Sequence, residues 1–197
     1  AHVKKRVKQG TVGVIGLGIM GGAFAKHLRA AGFDVIGFDI AAGRRRALQG
    51  IGGTATTSAA DVANSARIVI TSLPSLAAFE AALFGRDGIA AGARRGTIVI
   101  EASTLPLETK EDARRRLARF GVKLLDCPIS GTGAQAAAKD IVVYASGERA
   151  ACARCRPVFA GFARNAYYCG AFGAGSKLKF IANLLVTIQD RKSTRLN

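Results

Sequence analysis

Tryptophan is absent from this chain and tyrosine occurs only three times. Few side chains are available to stack on bases, which argues against nucleic acid despite a formal charge of +16. The positive excess is also dispersed. Lys4, Lys5, Arg6 and Lys8 fall in an N-terminal tail, and much of the rest forms clusters such as Arg44–Arg46 and Arg114–Arg116 on helix faces. Solvated charged faces are the favoured reading and an acidic or phosphorylated ligand the second. Long apolar runs are lacking too: nothing approaches the roughly 20 apolar residues of a bilayer span. Thr11–Gly16, after the basic AHVKKRVKQG segment, is too short an apolar run for a signal peptide. A soluble, cytoplasmic protein without a membrane partner is expected. No Met precedes Ala1, which points to a natural N-terminus further upstream. The four cysteines (Cys127, Cys152, Cys155, Cys169) come without secretory features and are expected as free thiols. Cys152 and Cys155 have C-x-x-C spacing but sit inside an Ala/Arg-rich helical stretch. A redox pair belongs at a helix N-terminus after a strand, and zinc needs two further ligands that no nearby pair supplies, so no metal site is expected.

What is present is an alternation of strand-like and helix-like segments. Thr11–Ile15, Asp34–Phe38, Arg67–Leu73, Thr97–Glu101, Val122–Asp126, Ile141–Ser146 and Ala166–Tyr168 read as strands. Ile19–Ala31, Arg44–Gln49, Ala59–Ser65, Ser75–Phe84, Leu107–Phe120 and Glu148–Phe159 read as helices, with Ser75 a candidate N-cap. This rhythm, without internal repeats, predicts an α/β protein: a Rossmann-type, doubly wound, mostly parallel sheet covered on both faces. The expected organisation is a basic tail at 1–10 and a dinucleotide-binding domain at 11–170. At 171–189 an apolar helix (Ser176–Gln189) reads as the first helix of an all-α domain that the chain does not contain. Residues 190–197 break the apolar pattern abruptly and coincide with one reading frame of a common sequencing adapter, so they read as an artefactual tail.

Gly16-Leu17-Gly18-Ile19-Met20-Gly21 fits G-x-G-x-x-G. It follows a strand, opens a helix and is followed by Asp39 at the end of the second strand, the context a dinucleotide fingerprint requires. Gly16 permits the tight turn, Gly18 lets a pyrophosphate approach the backbone, and Gly21 lets the helix pack closely on the strand. The helix N-terminus then offers N–H groups and a partial positive charge to the phosphates. Asp39 is placed to accept hydrogen bonds from ribose hydroxyls and to repel a 2′-phosphate, which favours NAD. Arg44–Arg46 lie just beyond and keep NADP as the alternative.

Four motifs in order then resemble the β-hydroxyacid dehydrogenase family, which includes 3-hydroxyisobutyrate dehydrogenases and is related to 6-phosphogluconate dehydrogenase. They are VGVIGLGIMG (12–21), EASTLP (101–106), DCPISGTGA (126–134) and GAGSKLKFIANLL (173–185). The resemblance implies hydride transfer between a nicotinamide cofactor and a small carboxylate-bearing alcohol or its oxo product. It implies cofactor contacts from Leu73, Pro74, Ser103 and Thr104, and a substrate-carboxylate loop at Ser130, Gly131 and Thr132. Lys179 and Asn183, four apart and so on one helix face, are implied as the catalytic pair, with Lys179 the general acid/base and Asn183 holding substrate. Family members form homo-oligomers through the helical domain, whose lack would leave this chain poorly active. Ala182 and Thr132 depart from the common family pattern, which puts the particular substrate in doubt. A non-catalytic dinucleotide-binding scaffold and an imine reductase of the same fold are the alternatives; retention of Lys179 counts against both.

Overall fold

The computed structural model describes the backbone of residues 9–193 and the side chains of residues 9–185. Most of the N-terminal basic segment (1–8) and the last four residues lie outside these described residues.

Residues 11–126 build six parallel strands: β1 (Thr11–Ile15), β2 (Asp34–Phe38), β3 (Thr54–Ala55), β4 (Ile68–Thr71), β5 (Ile98–Glu101) and β6 (Lys123–Asp126). Their order is β3-β2-β1-β4-β5-β6. β1 pairs in parallel with β2 (Val12 opposite Val35) and with β4 (Val12 opposite Ile68). The chain therefore reverses its direction of sheet growth between β1 and β4, and a crevice opens at the carboxyl ends of these strands. The intervening helices are α1 (Ile19–Ala30), α2 (Ala42–Gly50), α3 (Ala59–Ser65), α4 (Leu76–Phe84), α5 (Ile89–Gly92) and α6 (Leu107–Ala118).

The strands read as continuous apolar runs because both faces are covered, and their alternation sorts side chains into two cores. Val12, Val14, Ile70, Ile98, Ile100 and Leu125 point to one face, and Ile15, Val69, Val99 and Leu124 to the other. The first core is closed by α1 and by α9 (Arg156–Phe162). There the fully buried Phe24 and Phe162 rings lie 4.6 Å apart. The expected N-cap at Ser75 is present, its hydroxyl accepting the Ala78 N–H at 3.2 Å.

The later strands do not extend this sheet, a division the sequence rhythm did not reveal. β7 (Ile129–Ser130), β8 (Val142–Ala145) and β9 (Asn165–Tyr168) form a second sheet in the order β7-β8-β9, antiparallel then parallel. Pro128 follows the end of β6 and has no N–H to continue the ladder. The two sheets are stitched by a bridge between Asp126 and Ser146. Between β7 and β8 lies α7 (Gly133–Ala137). The stretch read as one helix over Glu148–Phe159 is two, α8 (Arg149–Arg154) and α9, because Pro157 cannot donate back to the preceding turn. β3, α5, β7 and α7 escaped the sequence reading since two to five residues carry no periodicity.

α10 (Ala174–Ser193) follows β9, with no strand after it among the described residues. It starts in tight contact with the small sheet: a Cβ on Gly175 would sit 2.3 Å from the Tyr144 carbonyl oxygen. The helix continues through the first four residues of the segment read as a tail. Among the described residues no helix is long and apolar enough to cross a membrane.

Candidate functional site

The turn between β1 and α1 has the geometry its glycines suggest. Gly16 has φ +86°, and a Cβ there would lie 2.2 Å from the Ser72 carbonyl oxygen. A Cβ on Gly21 would lie 1.8 Å from the Gly16 carbonyl oxygen, so the helix could not sit this close to the turn with any other residue. Gly18 differs: a Cβ there would meet only the Arg44 guanidinium, at 3.5 Å or more. It is the N-cap of α1 and supplies no side-chain cap, so the helix end faces the crevice uncapped by side chains. Fold stability thus requires glycine at 16 and 21, whereas at 18 the open space is what glycine preserves.

Asp39 is only 4% exposed and is more engaged than its position in the sequence discloses. Its Oδ2 accepts from the Leu17 N–H at 2.8 Å and its Oδ1 from the Ala41 N–H at 2.8 Å. Arg44, 54% exposed, completes an ion pair at 3.3 Å. Arg45 donates to the Asp39 and Ile40 carbonyls instead of facing the crevice as a free cation. A carboxylate has about four acceptor positions, and three are used here, which leaves one for a ribose hydroxyl.

Together these residues border a cavity of about 910 Å³ between β1, β2, β4 and α4. Gly16, Gly18, Ile19, Met20, Asp39, Leu73 and Pro74 line it as the sequence suggests. Leu17 and Gly21 do not: Leu17 is buried in the core and enters through its N–H, and Gly21 underpins the turn. Arg44, the residue that keeps NADP as the alternative, lines the cavity as well, and so do Ile40, Thr57 and Ala78, which nothing in their local sequence marks because β2, α3 and α4 converge only in the fold. The volume suits a dinucleotide's adenosine half, and the uncapped helix end and the open face of Gly18 suit its phosphates.

The remaining residues gather on the other side of β4. Ser103 is buried, and its hydroxyl accepts the Leu73 N–H at 2.9 Å, so it holds a cavity-lining residue in place. Thr104 beside it is exposed. Glu101 is fully buried; burial pushes its carboxyl above the usual range against the pull of the Lys110 charge. It accepts the Ser103 N–H at 2.7 Å and is hydrogen-bonded to Thr71. Lys179 is half-buried on α10 and donates to the Ile129 carbonyl, which places it beside Ser130. Burial first, and the charge of Lys110 second, lower its pKa from the ordinary lysine value of 10.5. Asn183 lies one turn further along α10 and is exposed. Of the substrate loop, Gly131 has φ +138°, and Thr132 is the N-cap of α7. In a reciprocal capping box the Thr132 N–H donates to Gln135 Oε1 at 2.9 Å and its hydroxyl accepts the Gln135 N–H at 3.3 Å. Thr132 thus shapes the loop through the cap.

The cysteines are free, and all but Cys169 are buried. Burial raises Cys152 to about 11 and Cys155 to about 12, so neither supplies a thiolate at neutral pH. Among the described residues no cluster of His, Cys, Asp and Glu could hold a metal ion.

The strand order, the glycine turn and the cavity define a Rossmann-type dinucleotide-binding domain. A family model described as the NAD binding domain of 6-phosphogluconate dehydrogenase matches residues 11–170, and the chain belongs to that family, with β-hydroxyacid dehydrogenases as its relatives. It is 37% identical over 178 residues to an L-threonate dehydrogenase of Cupriavidus necator, covering 90% of this chain and 60% of that protein. A structure of Mycobacterium tuberculosis 3-hydroxyisobutyrate dehydrogenase with L-serine superposes with a TM-score of 0.83 at 30% identity, over 91% of this chain and 60% of that one. A Streptomyces aurantiacus imine reductase superposes with a TM-score of 0.81 at 25% identity, over 93% and 63%. The chain thus spans about 60% of the length of these relatives.

Proposed function

We propose that this chain is the cofactor-binding portion of an NAD(P)-dependent hydroxyacid dehydrogenase in which Lys179 moves the hydroxyl proton. The observation that carries the reading is the placement of Lys179. Its half-buried Nζ is anchored on the Ile129 carbonyl beside the Ser130 loop, in surroundings that lower its pKa. A neutral amine that donates one N–H to a carbonyl keeps its lone pair in one of the two remaining tetrahedral positions, free to accept a proton from a group within hydrogen-bond reach, as a general base must. A bound nicotinamide dinucleotide would supply the hydride acceptor. Gly16, Gly18 and the N-terminus of α1 would hold its pyrophosphate, Asp39 its adenosine ribose, and Leu73 and Pro74 its path toward Ser103 and Thr104.

Lys179 takes the proton from the substrate hydroxyl as the carbinol C–H bond breaks, leaving a carbonyl product and an ammonium on Lys179. In reduction the same ammonium returns the proton to the oxygen. Asn183 orients the hydroxyl, and the Ser130 hydroxyl with the Gly131 N–H receives the substrate carboxylate. The substrate class is a small carboxylate-bearing alcohol, in keeping with the relatives' names. NAD is the preferred cofactor, on the strength of the buried, negatively charged Asp39.

A helical domain beyond α10 would close the cleft and carry the homo-oligomer contact. The exposed apolar side chains of α10 support this, among them Phe180, Ile181 and Leu184. The test uses the gene extended to the length of its relatives. NADH formation is measured over a panel of 2- and 3-hydroxyacids, with a cyclic imine assayed in the reductive direction. Hydroxyacid turnover that falls by about 10³-fold or more in Lys179→Ala, with NADH affinity kept, is expected. Undiminished turnover in that variant, or turnover of the imine alone, overturns the reading.

A further inference from the structure

Lys110 is the least expected residue in the molecule. It lies on α6 in a stretch, LETKEDARRRLA, that reads as a solvated charged face, yet it is 0% exposed. Its Nζ donates to the Ser103 carbonyl at 2.7 Å, to Asp126 Oδ1 at 2.9 Å and to Ser176 Oγ at 3.4 Å, which uses all three ammonium hydrogens. Asp126, also fully buried, is equally saturated. Its Oδ1 receives the Ser176 hydroxyl at 2.7 Å in addition to Lys110, and its Oδ2 receives the Ser176 N–H at 2.8 Å and lies 3.1 Å from the Ser146 hydroxyl. Ser146 Oγ in turn accepts the Gly175 N–H at 3.0 Å.

Stability does not by itself account for this pair. A buried ion pair commonly breaks even against an apolar replacement, because both charges lose their water. What distinguishes this one is what it joins. Ser103 holds Leu73 at the rim of the dinucleotide cavity. Ser176 lies in the first turn of α10, three residues before Lys179. A hydrogen-bonded path therefore runs from the cavity rim through Leu73, Ser103, Lys110, Asp126 and Ser176 into the helix that carries Lys179.

We propose that Lys110 is a positioning residue: one buried ammonium fastens the loop after β5 and the first turn of α10 to the same point, so that the cofactor-side loop and Lys179 move as a single body. The importance of Lys179 rests on the function proposed above; the fastening does not. The Lys110 charge also acts on Lys179 directly, disfavouring its protonated form.

The experiment uses this chain with ADP-ribose bound, whose binding in the glycine-turn cavity reports that the domain is folded. Amide hydrogen exchange of Ser103 and Ser176 is followed by NMR in the wild type, Lys110→Met and Ser176→Ala. The pH midpoint for acetylation of Lys179 is measured by mass spectrometry in each. In the wild type the two amides are expected to open together. In Lys110→Met both are expected to exchange about tenfold faster or more, at different rates, and the Lys179 midpoint is expected to rise. Ser176→Ala removes no charge and is expected to shift exchange in the same direction by less. It decides the exchange question if Lys110→Met no longer binds ADP-ribose. Unchanged exchange at Ser103 and Ser176 in a variant that binds ADP-ribose normally overturns the proposal. Faster exchange with a fully active Lys179→Ala enzyme would leave the fastening intact and remove only the catalytic reading.

Discussion

Gly18 and Gly21 look equivalent in the G-x-G-x-x-G pattern, but their surroundings predict opposite outcomes for the same substitution. Gly18→Ala places a methyl where only the Arg44 guanidinium lies nearby, at 3.5 Å or more. The backbone there, φ −66° and ψ −161°, is open to alanine. Replacing glycine at a compatible position gains about 0.4–1 kcal/mol through the unfolded chain. Alanine at an N-cap loses a comparable amount, roughly 0.5–1 kcal/mol. The two nearly cancel, and the melting temperature should move by no more than about 3 °C. In the proposed cofactor placement the same methyl stands where the pyrophosphate would approach the helix end. Losing one charge-assisted hydrogen bond costs about 1.5–3 kcal/mol, so the NADH Kd should rise roughly 10- to 150-fold. Gly21→Ala instead drives a methyl to 1.8 Å from the Gly16 carbonyl oxygen, so melting temperature and binding should fall together. Thermal melts and NADH fluorescence titrations on both variants check this. Wild-type NADH affinity in Gly18→Ala would refute the claim that the helix end seats the pyrophosphate.

Glu101→Gln should stabilise the protein at pH 8. The folded-state pKa of Glu101 is raised, so its contribution is fully present below the unfolded carboxyl value and is lost as pH climbs through the folded one. Melting curves should therefore show the variant's advantage shrinking toward pH 4.5; an advantage that does not change with pH would contradict the burial argument. The lowered pKa of Lys179 predicts that kcat/KM for alcohol oxidation rises with pH and levels off below 10.5, a profile that Lys179→Ala should lack. Phe162→Ala should cost about 3–5 kcal/mol, since Phe162 is fully buried against Phe24. Denaturant unfolding would show it, and a loss below about 1 kcal/mol would mean this core relaxes freely.

The parts of the fold legible in the sequence were those whose cause is local. β1, the glycine turn, α1 and β2 announce themselves by period and by glycine spacing, and Asp39 by its place at the end of a strand. The break between α8 and α9 and the cap of α7 also have local causes, Pro157 and the T-x-x-Q spacing of Thr132 and Gln135, yet the sequence reading runs one helix through Pro157 and passes over α7. Lys110 was not legible. Its partners Asp126 and Ser176 lie 16 and 66 residues away, and only the meeting of β6 and α10 turns a solvent-like lysine into a buried one. The separate second sheet was hidden for a similar reason: β8 and β9 have ordinary strand patterns, and only the tertiary pairing shows that β8 meets the end of β6 through the single Asp126–Ser146 bridge and not through a ladder. The engagement of Asp39 by the Leu17 N–H likewise appears only once β1 and β2 are side by side, whereas its bond from the Ala41 N–H is local, two residues along the chain.

The most direct test of the central claim is a fluorescence titration of this chain with NADH and NADPH, with ADP-ribose as competitor. Saturable NADH binding, tighter than NADPH and displaced by ADP-ribose, is the result that the cavity, the glycine turn and Asp39 predict. No saturable binding of either would contradict the assignment of this cavity to a dinucleotide, and tighter NADPH binding would transfer the specificity from Asp39 to Arg44.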